Sequence, residues 1–317
     1  MVDVLIVRDL VVERGGRWRR PGLRVVDGAS FTLAEGECYG VLGEGGSGKS
    51  SLGLALLGLL PPLAGTVALA GEVLADLPAR RARRGRVGLQ LLPQQAGTTL
   101  DPRLPLRSIL AEGLRLRGVK DRAQQLTLMD EMLAAVGLDP GIGKLWPQAL
   151  DANQRLRCSL ARVLLLQPGV LILDEPTAGL DLGTAANLLR LLHGLRRRFG
   201  FAMLLLSADP GVVRRSCDHV AVMYLGRLVE RGPTADVFAA PRHPYTQALL
   251  SAVPRLGAPP GPPELRGDPP SLAEKPPGCR FHPRCMAADM SCLEHEPAEQ
   301  PVAEEHLVSC HHWQRWG

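Results

Sequence analysis

Three groups of residues in this chain have types and spacings suited to chemistry. The first is GEGGSGKS, namely Gly43, Glu44, Gly45, Gly46, Ser47, Gly48, Lys49 and Ser50, with Ser51 following. It fits G-x-x-x-x-G-K-[ST] between a short apolar run and a helix-like stretch. Glycines suit a backbone that must curl around phosphate with its N–H groups inward, where Cβ atoms would obstruct it. Lys49 is placed for the β- and γ-phosphates of ATP, the Ser50 hydroxyl for Mg²⁺, and a helix N-terminus beyond adds its dipole. A chance glycine loop is the alternative, and the strand–loop–helix setting disfavours it. The second group is VLILDE, 170–175. An apolar strand carries Asp174 to a sheet edge, where it can hold Mg²⁺ through water, and Glu175 follows to orient and deprotonate an attacking water. Two carboxylates that merely cap a strand end are the bland reading, and the continuation DEPTAGLD weakens it. The third group is Cys279, Cys285, Cys292 and Cys310, all within the last 39 residues. Disulfides are not expected in a cytosolic protein. Clustered thiolates point to a metal or an iron–sulfur cluster, with free thiols as the remaining alternative. The gaps exceed the usual zinc C-x2–4-C spacing, which lowers zinc. His282, His311 and His312 lie near as alternative ligands.

The rest of the chain must position these groups. With 317 residues, 45% hydrophobic and 22% charged, it has the composition of a globular protein with a core of Leu, Val and Ala, since aromatics are 4%. Cys38, Cys158 and Cys217 sit in apolar stretches and read as packing residues. The net charge of +5 comes partly from RWRR (17–20), RRARRGR (80–86) and RRR (196–198). These lie apart without interleaved aromatics, so they read as solvated faces or phosphate-side loops, and nucleic acid is not expected as a partner. The N-terminus lacks the pattern of a signal peptide. LGLALLGLLPPLAGTVALAG, 52–71, imitates a membrane span, but Pro61-Pro62 and its glycines break it into a helix, a turn and a strand. A soluble protein able to dock on a membrane protein is expected. The helix after the phosphate loop is expected from Lys49 to about Leu60. Strands alternate with helices, which argues for an α/β layered core. A helix-rich block over residues 106–165 is inserted between its halves. Past about residue 256 a Pro/Gly-rich linker precedes the cysteine tail. No internal repeat is present.

The phosphate loop, LILDEPTAGLD, the helical insertion between them and LARVLLLQPGVLILDEP together resemble the ATP-binding cassette (ABC) family over about residues 3–256. TTLDPR (98–103), AVMYLGRLVERG, PRHPYTQALLSAVP (241–254) and GCRFHPRC (278–285) resemble more narrowly its oligopeptide/dipeptide/nickel importer branch. The resemblance implies an α/β ABC-type nucleotide-binding domain over 1–256: a RecA-like mixed-sheet core, an antiparallel β subdomain and a helical subdomain at about 95–164. A small Cys-rich C-terminal domain, with its linker, occupies 257–317. It further implies an ATPase peripheral to the cytoplasmic face of the inner membrane. Its partners would be two transmembrane permease subunits, a second ATPase subunit in a head-to-tail dimer and, indirectly, an extracytoplasmic substrate-binding protein. Peptide, nickel and metal–chelator cargo all remain open. Some members of the branch carry a [4Fe–4S] cluster in this tail.

Carried across residue by residue, the family's Mg²⁺-contacting glutamine falls on Gln94, with Gln95 as fallback, and its loop after the catalytic strand ends at Asp181. The adenine-stacking aromatic falls on Arg14, with Trp18 as a substitute. The signature L-S-G-G-Q, which closes over ATP held by the partner subunit, reads Leu150-Asp151-Ala152-Asn153-Gln154 here. The switch histidine is Ala208. Asp151 offers a carboxylate where the family offers donors, and brings charge toward a polyanion. Ala152 and Asn153 add Cβ atoms where backbone must approach closely. Ala208 cannot bond the γ-phosphate. These departures imply an asymmetric heterodimer, with the site on Lys49 hydrolysing slowly and the site closed by LDANQ weaker still. A regulatory subunit that binds ATP but hydrolyses little, and a soluble cassette ATPase without a permease, are the alternatives.

Overall fold

The computed structural model describes residues 2–15, 22–74, 86–251 and 267–316. Trp18, the basic stretches 17–20 and 80–85, and most of the linker lie outside the described residues. The chain opens with strands β1 (Asp3–Arg14), β2 (Leu23–Ala34) and β3 (Cys38–Leu42), helix α1 (Lys49–Leu56), and strands β4 (Pro62–Leu69), β5 (Glu72–Val73) and β6 (Leu89–Leu92). Helices α2 (Leu106–Leu116), α3 (Arg122–Ala135) and α4 (Ala152–Leu164) follow, then β7 (Val170–Asp174), α5 (Leu182–Phe199), β8 (Ala202–Ser207) and α6 (Pro210–Ser216). The last elements are β9 (His219–Tyr224), β10 (Arg227–Pro233), α7 (Thr234–Ala239), α8 (Pro244–Ser251), α9 (Met290–Glu294), β11 (Gln300–Pro301) and β12 (Leu307–Val308).

The span-like stretch resolves into α1, a turn and β4. Helix α1 stops at Leu56, four residues before the expected Leu60. Gly58 takes a positive φ of 67°. Its N–H returns to the Ala55 carbonyl (2.8 Å) and the Leu59 N–H to that of Leu54 (2.9 Å), a glycine-terminated helix end. Among the described residues no helix is long and apolar enough to cross a membrane.

The chain divides into two compact units. The first comprises Met1–Val4, Ala34–Gly36 and Asp76–Met203. In it β6 runs parallel to β7, Leu89 opposite Val170 through Leu92 opposite Leu173. Every residue of β7 is buried, as expected of a parallel strand covered on both faces. Helices α2 to α4 pack through Leu106, Leu110, Leu114, Leu133, Leu160 and Leu164, all under 3% exposed. Arginines close the carbonyl ends of this block: Arg117 donates to Leu165 O (3.0 Å), Arg157 to Val136 O (2.7 Å) and Arg162 to Thr99 O (3.1 Å). Arg196, Arg197 and Arg198 fill the last turn of α5, where cations complement the helix dipole.

The second unit comprises Leu5–Leu33, Glu37–Ala75 and Leu204–Gly317. An antiparallel sheet has the order β2-β1-β4-β5. A mixed sheet pairs β3 parallel with β9, β9 antiparallel with β10, and β10 with β12, which pairs β11. The cysteine tail therefore adds strands to the sheet of the nucleotide domain. Its chief anchor is Glu230, which is 1% exposed. The Glu230 carboxylate accepts from Arg242 N–H (2.6 Å), His243 N–H (3.0 Å) and His306 Nε2 (2.8 Å). Arg231 grips Glu299 with two bonds of 2.8 Å. Arg280 bridges Asp27, Glu296 and the Leu225 carbonyl. Burial alone raises the Asp27 carboxyl, but the hydrogen bond and charge of Arg280, with Lys275, outweigh it and hold the carboxyl below its ordinary range.

Two outcomes follow. Glu230→Ala strands buried donors and a buried histidine, so it should cost about 3–5 kcal/mol in denaturant unfolding of the full chain. His219 lies between Glu37 (2.5 Å) and Glu305 (3.2 Å). The bond from Glu37, opposed by burial and helped by Glu305, raises its pKa to about 9 from 6.5. A raised folded-state pKa gives stability that is full below about pH 6.5 and is lost as pH rises through about 9. The melting temperature of wild type should therefore exceed that of His219→Asn at neutral pH and converge with it above about pH 9, read from paired melts across that range.

Candidate functional site

The phosphate loop joins fully buried β3 to α1. The Gly43 N–H donates to Ser207 O (3.2 Å) at the end of β8. A Cβ on Gly43 would lie 2.3 Å from the Met223 carbonyl oxygen, and one on Gly48 (φ +113°) 2.3 Å from that of Val25. Those two glycines are fixed by their contacts. A Cβ on Gly45 or Gly46 would meet nothing within 4 Å, so the outer curve of the loop faces open space. Lys49 is 5% exposed and folds across the loop, its Nζ donating to Gly43 O (2.6 Å) and Glu44 O (3.0 Å) and reaching Ser47 Oγ (3.5 Å). Gly48 precedes α1 without any side-chain cap, while Ser50 is exposed and Ser51 buried on the first turn. Ala208 is exposed directly after β8. The next residue, Asp209, caps α6 by accepting from Gly211 N–H (2.7 Å) and Val212 N–H (3.3 Å), so its carboxylate is committed to that helix. Arg14 is exposed at the end of β1.

The first unit holds the other nucleotide candidates. The β6–β7 register puts Gln94, two residues past Leu92, and Asp174, one past Leu173, at the same carboxyl edge. Gln94 and Gln95 are exposed and Asp174 is 9% exposed. Glu175 follows at φ 46°, a backbone region that non-glycine residues seldom adopt and that recurs at functional positions. Asp181 is the N-cap of α5, accepting from Gly183 and Thr184 N–H (both 3.0 Å) and the Thr184 hydroxyl (2.6 Å). The hydroxyl bond chiefly lowers its pKa.

The signature positions behave differently from what their charge alone suggests. Asp151 is the N-cap of α4: its Oδ1 accepts the Gln154 N–H (2.8 Å), and Gln154 Oε1 accepts the Asp151 N–H (3.1 Å). This reciprocal capping box turns the carboxylate onto its own helix. Asn153 Oδ1 accepts from Arg157 Nε (3.0 Å), and Ala152 is exposed in the first turn. LDANQ is thus a well-formed helix start whose acceptors occupy the place of donors.

The four tail cysteines do converge. Cys279, Cys285, Cys292 and Cys310 line one small cavity with Phe281, His282 and His312. The Cys279 N–H donates to Cys292 O (2.8 Å). Burial raises the thiol pKa of Cys279 to about 11 and of Cys310 to about 12, and raises that of Cys285. A tetrahedral zinc at about 2.3 Å from each sulfur would set the sulfurs about 3.8 Å apart. Among the described residues, the group whose ligand atoms lie within 4.8 Å of one another is instead Asp289, Cys292 and His312. His282 Nδ1 lies 2.9 Å from Cys279 O, His311 Nε2 2.9 Å from His295 O and His312 Nε2 2.8 Å from Asp289. Asp289 escaped sequence reasoning because nothing marks one carboxylate among many. Tyr245 and Arg284 also reach the phosphate loop, at the Glu44 N–H and carboxylate, contacts between distant segments that PRHPY and HPRC do not reveal in sequence.

A family model described as "ABC transporter" matches residues 26–178, and one described as "Oligopeptide/dipeptide transporter, C-terminal region" matches 229–292. The oligopeptide transport ATP-binding protein AppF of Bacillus subtilis is 36% identical over 305 residues, covering 94% of this chain and 93% of that protein. The chain belongs to the ABC transporter family. The di/tripeptide transport ATP-binding protein DppF of Pseudomonas aeruginosa is likewise 36% identical, covering 98% of both chains. Among solved ABC structures, cbiO1 of Clostridium perfringens, part of an ABC transporter complex, aligns with TM-score 0.66 at 25% identity, covering 75% of this chain and 91% of that one. The fold is that of an ABC ATPase, with mixed and antiparallel sheets. ATP and Mg²⁺ fit an ABC ATPase.

Lys49→Ala and Gly48→Ala should each abolish detectable ATP binding by the full chain, measured by titration calorimetry. Asp151→Ala should lower unfolding stability by about 1 kcal/mol, whereas Asp151→Ser, which keeps a capping oxygen, should stay within a few tenths.

Proposed function

We propose that this chain is the ATP-hydrolysing subunit of a peptide importer, working at the cytoplasmic face of the membrane beside permease subunits and a second, non-identical ATPase subunit. The observation that carries the reading is one chain combining the phosphate loop, Asp174 and Glu175 with an oligopeptide-type C-terminal region and a signature whose Asp151 carboxylate is bound to its own helix. Peptide cargo rests on the names of the relatives and on that region; nickel or a metal–chelator complex is the second choice of cargo.

The loop backbone and Lys49 bind the phosphates, Lys49 exchanging its Gly43 and Glu44 carbonyls for phosphate oxygens. The Ser50 hydroxyl would be offered to Mg²⁺, and at the β6–β7 edge Asp174, with Gln94 beside it, would offer a carboxylate directly or through water. Bound Mg²⁺ neutralises charge developing on the phosphates. Water attacks the γ-phosphorus, Glu175 takes its proton, and ADP leaves with inorganic phosphate as the other product. Ala208 supplies no hydrogen bond to this step, which supports slow turnover. The Asp151 carboxylate, engaged on α4, offers no side-chain donor to a partner's γ-phosphate, which supports pairing with a subunit of ordinary signature. A weakly hydrolysing regulatory subunit is the second reading, favoured by the same two departures. The four cysteines that line one cavity support a [4Fe–4S] cluster, which takes one thiolate per iron.

Turnover of the assembled complex decides the assignment. Glu175→Gln should remove most of it, at least about tenfold, and the matching change in the partner should remove less. Full turnover with Glu175→Gln hands catalysis to the partner's site. Anaerobically purified protein should absorb near about 400 nm and contain iron; zinc without that band rejects the cluster.

A further inference from the structure

We propose that Arg284, one residue before Cys285 in the tail, is a positioning residue for ATP: it holds Glu44 of the phosphate loop and cancels its charge. Glu44 stands within GEGGSGKS, so its carboxylate lies on the loop that receives a polyphosphate. An unpaired carboxylate there would repel the ligand. Arg284 meets it with two bonds, Nη1 to Oε2 at 2.8 Å and Nη2 to Oε1 at 3.1 Å, the forked geometry that suits guanidinium and carboxylate. The pair is sheltered, with the Arg284 side chain 5% and the Glu44 side chain 22% exposed.

The arginine is itself fixed. Its Nη2 also donates to Gly267 O (3.0 Å), and its guanidinium stands 5.9 Å from the Tyr224 ring centre and 6.0 Å from that of Phe281. Phe281 packs on Tyr224 and Tyr245, both at 5.4 Å between ring centres. Tyr245 completes the grip by accepting the Glu44 N–H (3.0 Å). Glu44 is thus held at its N–H by Tyr245, at its carboxylate by Arg284 and at its carbonyl by Lys49. When Lys49 turns to phosphate, the Ser47 N–H (3.2 Å to Glu44 O), Tyr245 and Arg284 still hold Glu44, and of these Arg284 alone meets its charge among the described residues. Lys49, Glu44 and Arg284 form a relay in which the tail supplies the charge that the loop lacks.

The test is Mg–ATP affinity of the full chain, with thermal melts to monitor folding. Arg284→Met should weaken binding on the order of tenfold at low salt, and less at high salt, because the cause is an exposed like charge. Arg284→Lys should remain near wild type, since it keeps the charge. Glu44→Gln should bind ATP as tightly as wild type or more tightly, because Arg284 then faces the phosphates uncompensated. The Glu44→Gln/Arg284→Met double variant should recover most of the lost affinity. Unchanged affinity in Arg284→Met, a salt-independent loss or a double variant as weak as Arg284→Met overturns the proposal. If Arg284→Met does not fold, the sign for Glu44→Gln decides: weaker binding there overturns it as well.

Discussion

The carboxylate of Glu230 has almost no contact with water, and two backbone N–H groups and the His306 ring end on it. A buried carboxylate is tolerated only when its lone pairs are met. Here the donors come from PRHPY, just before α8, and from the tail, while the acceptor sits on β10. That one requirement ties three distant stretches of sequence together. The same strand pairs with β12, Glu230 opposite Val308. The same tail carries Arg280 to Asp27 and Arg284 to Glu44.

Acidic helix caps are a second recurring device. Asp121, Asp151, Asp181 and Asp209 each accept backbone N–H groups at the start of a helix. Such caps contribute about 1 kcal/mol each and satisfy donors that a helix start otherwise exposes. At α1 the preceding residue is Gly48, without a side chain to cap with. The helix start meant for phosphate carries no competing carboxylate, whereas the start of α4 carries one. Asp151 strengthens α4 by accepting the Gln154 N–H. The departure at Ala208 has a different character: Asp209 serves α6, and the alanine itself brings no side-chain donor.

Few aromatics are present, and several gather at one place. Tyr224, Tyr245 and Phe281 pack together with His243, which is 1% exposed and whose pKa burial lowers to about 4. A neutral imidazole there accepts the Tyr245 N–H at 3.0 Å. This cluster is where the tail, the β9–β10 hairpin and the phosphate loop share a core.

Much of this was legible in the residues themselves. GEGGSGKS, LILDE and the alternation of strands and helices identify the nucleotide fold, because glycine, lysine and carboxylate spacing is imposed locally by phosphate and Mg²⁺ chemistry. The break at Pro61-Pro62 was equally readable, though not the stop at Leu56, since a left-handed glycine is set by how the helix end closes. The sequence also shows that Asp151 replaces a donor. Only the folded chain decides that its carboxylate turns inward as a cap, that four cysteines separated by up to seventeen residues line one cavity, and that Arg284 pairs with Glu44 across 240 positions. Periodicity and motif spacing record what neighbours in sequence impose on one another. Ion pairs between distant segments depend on which strands meet, and that is settled by burial and strand pairing in three dimensions.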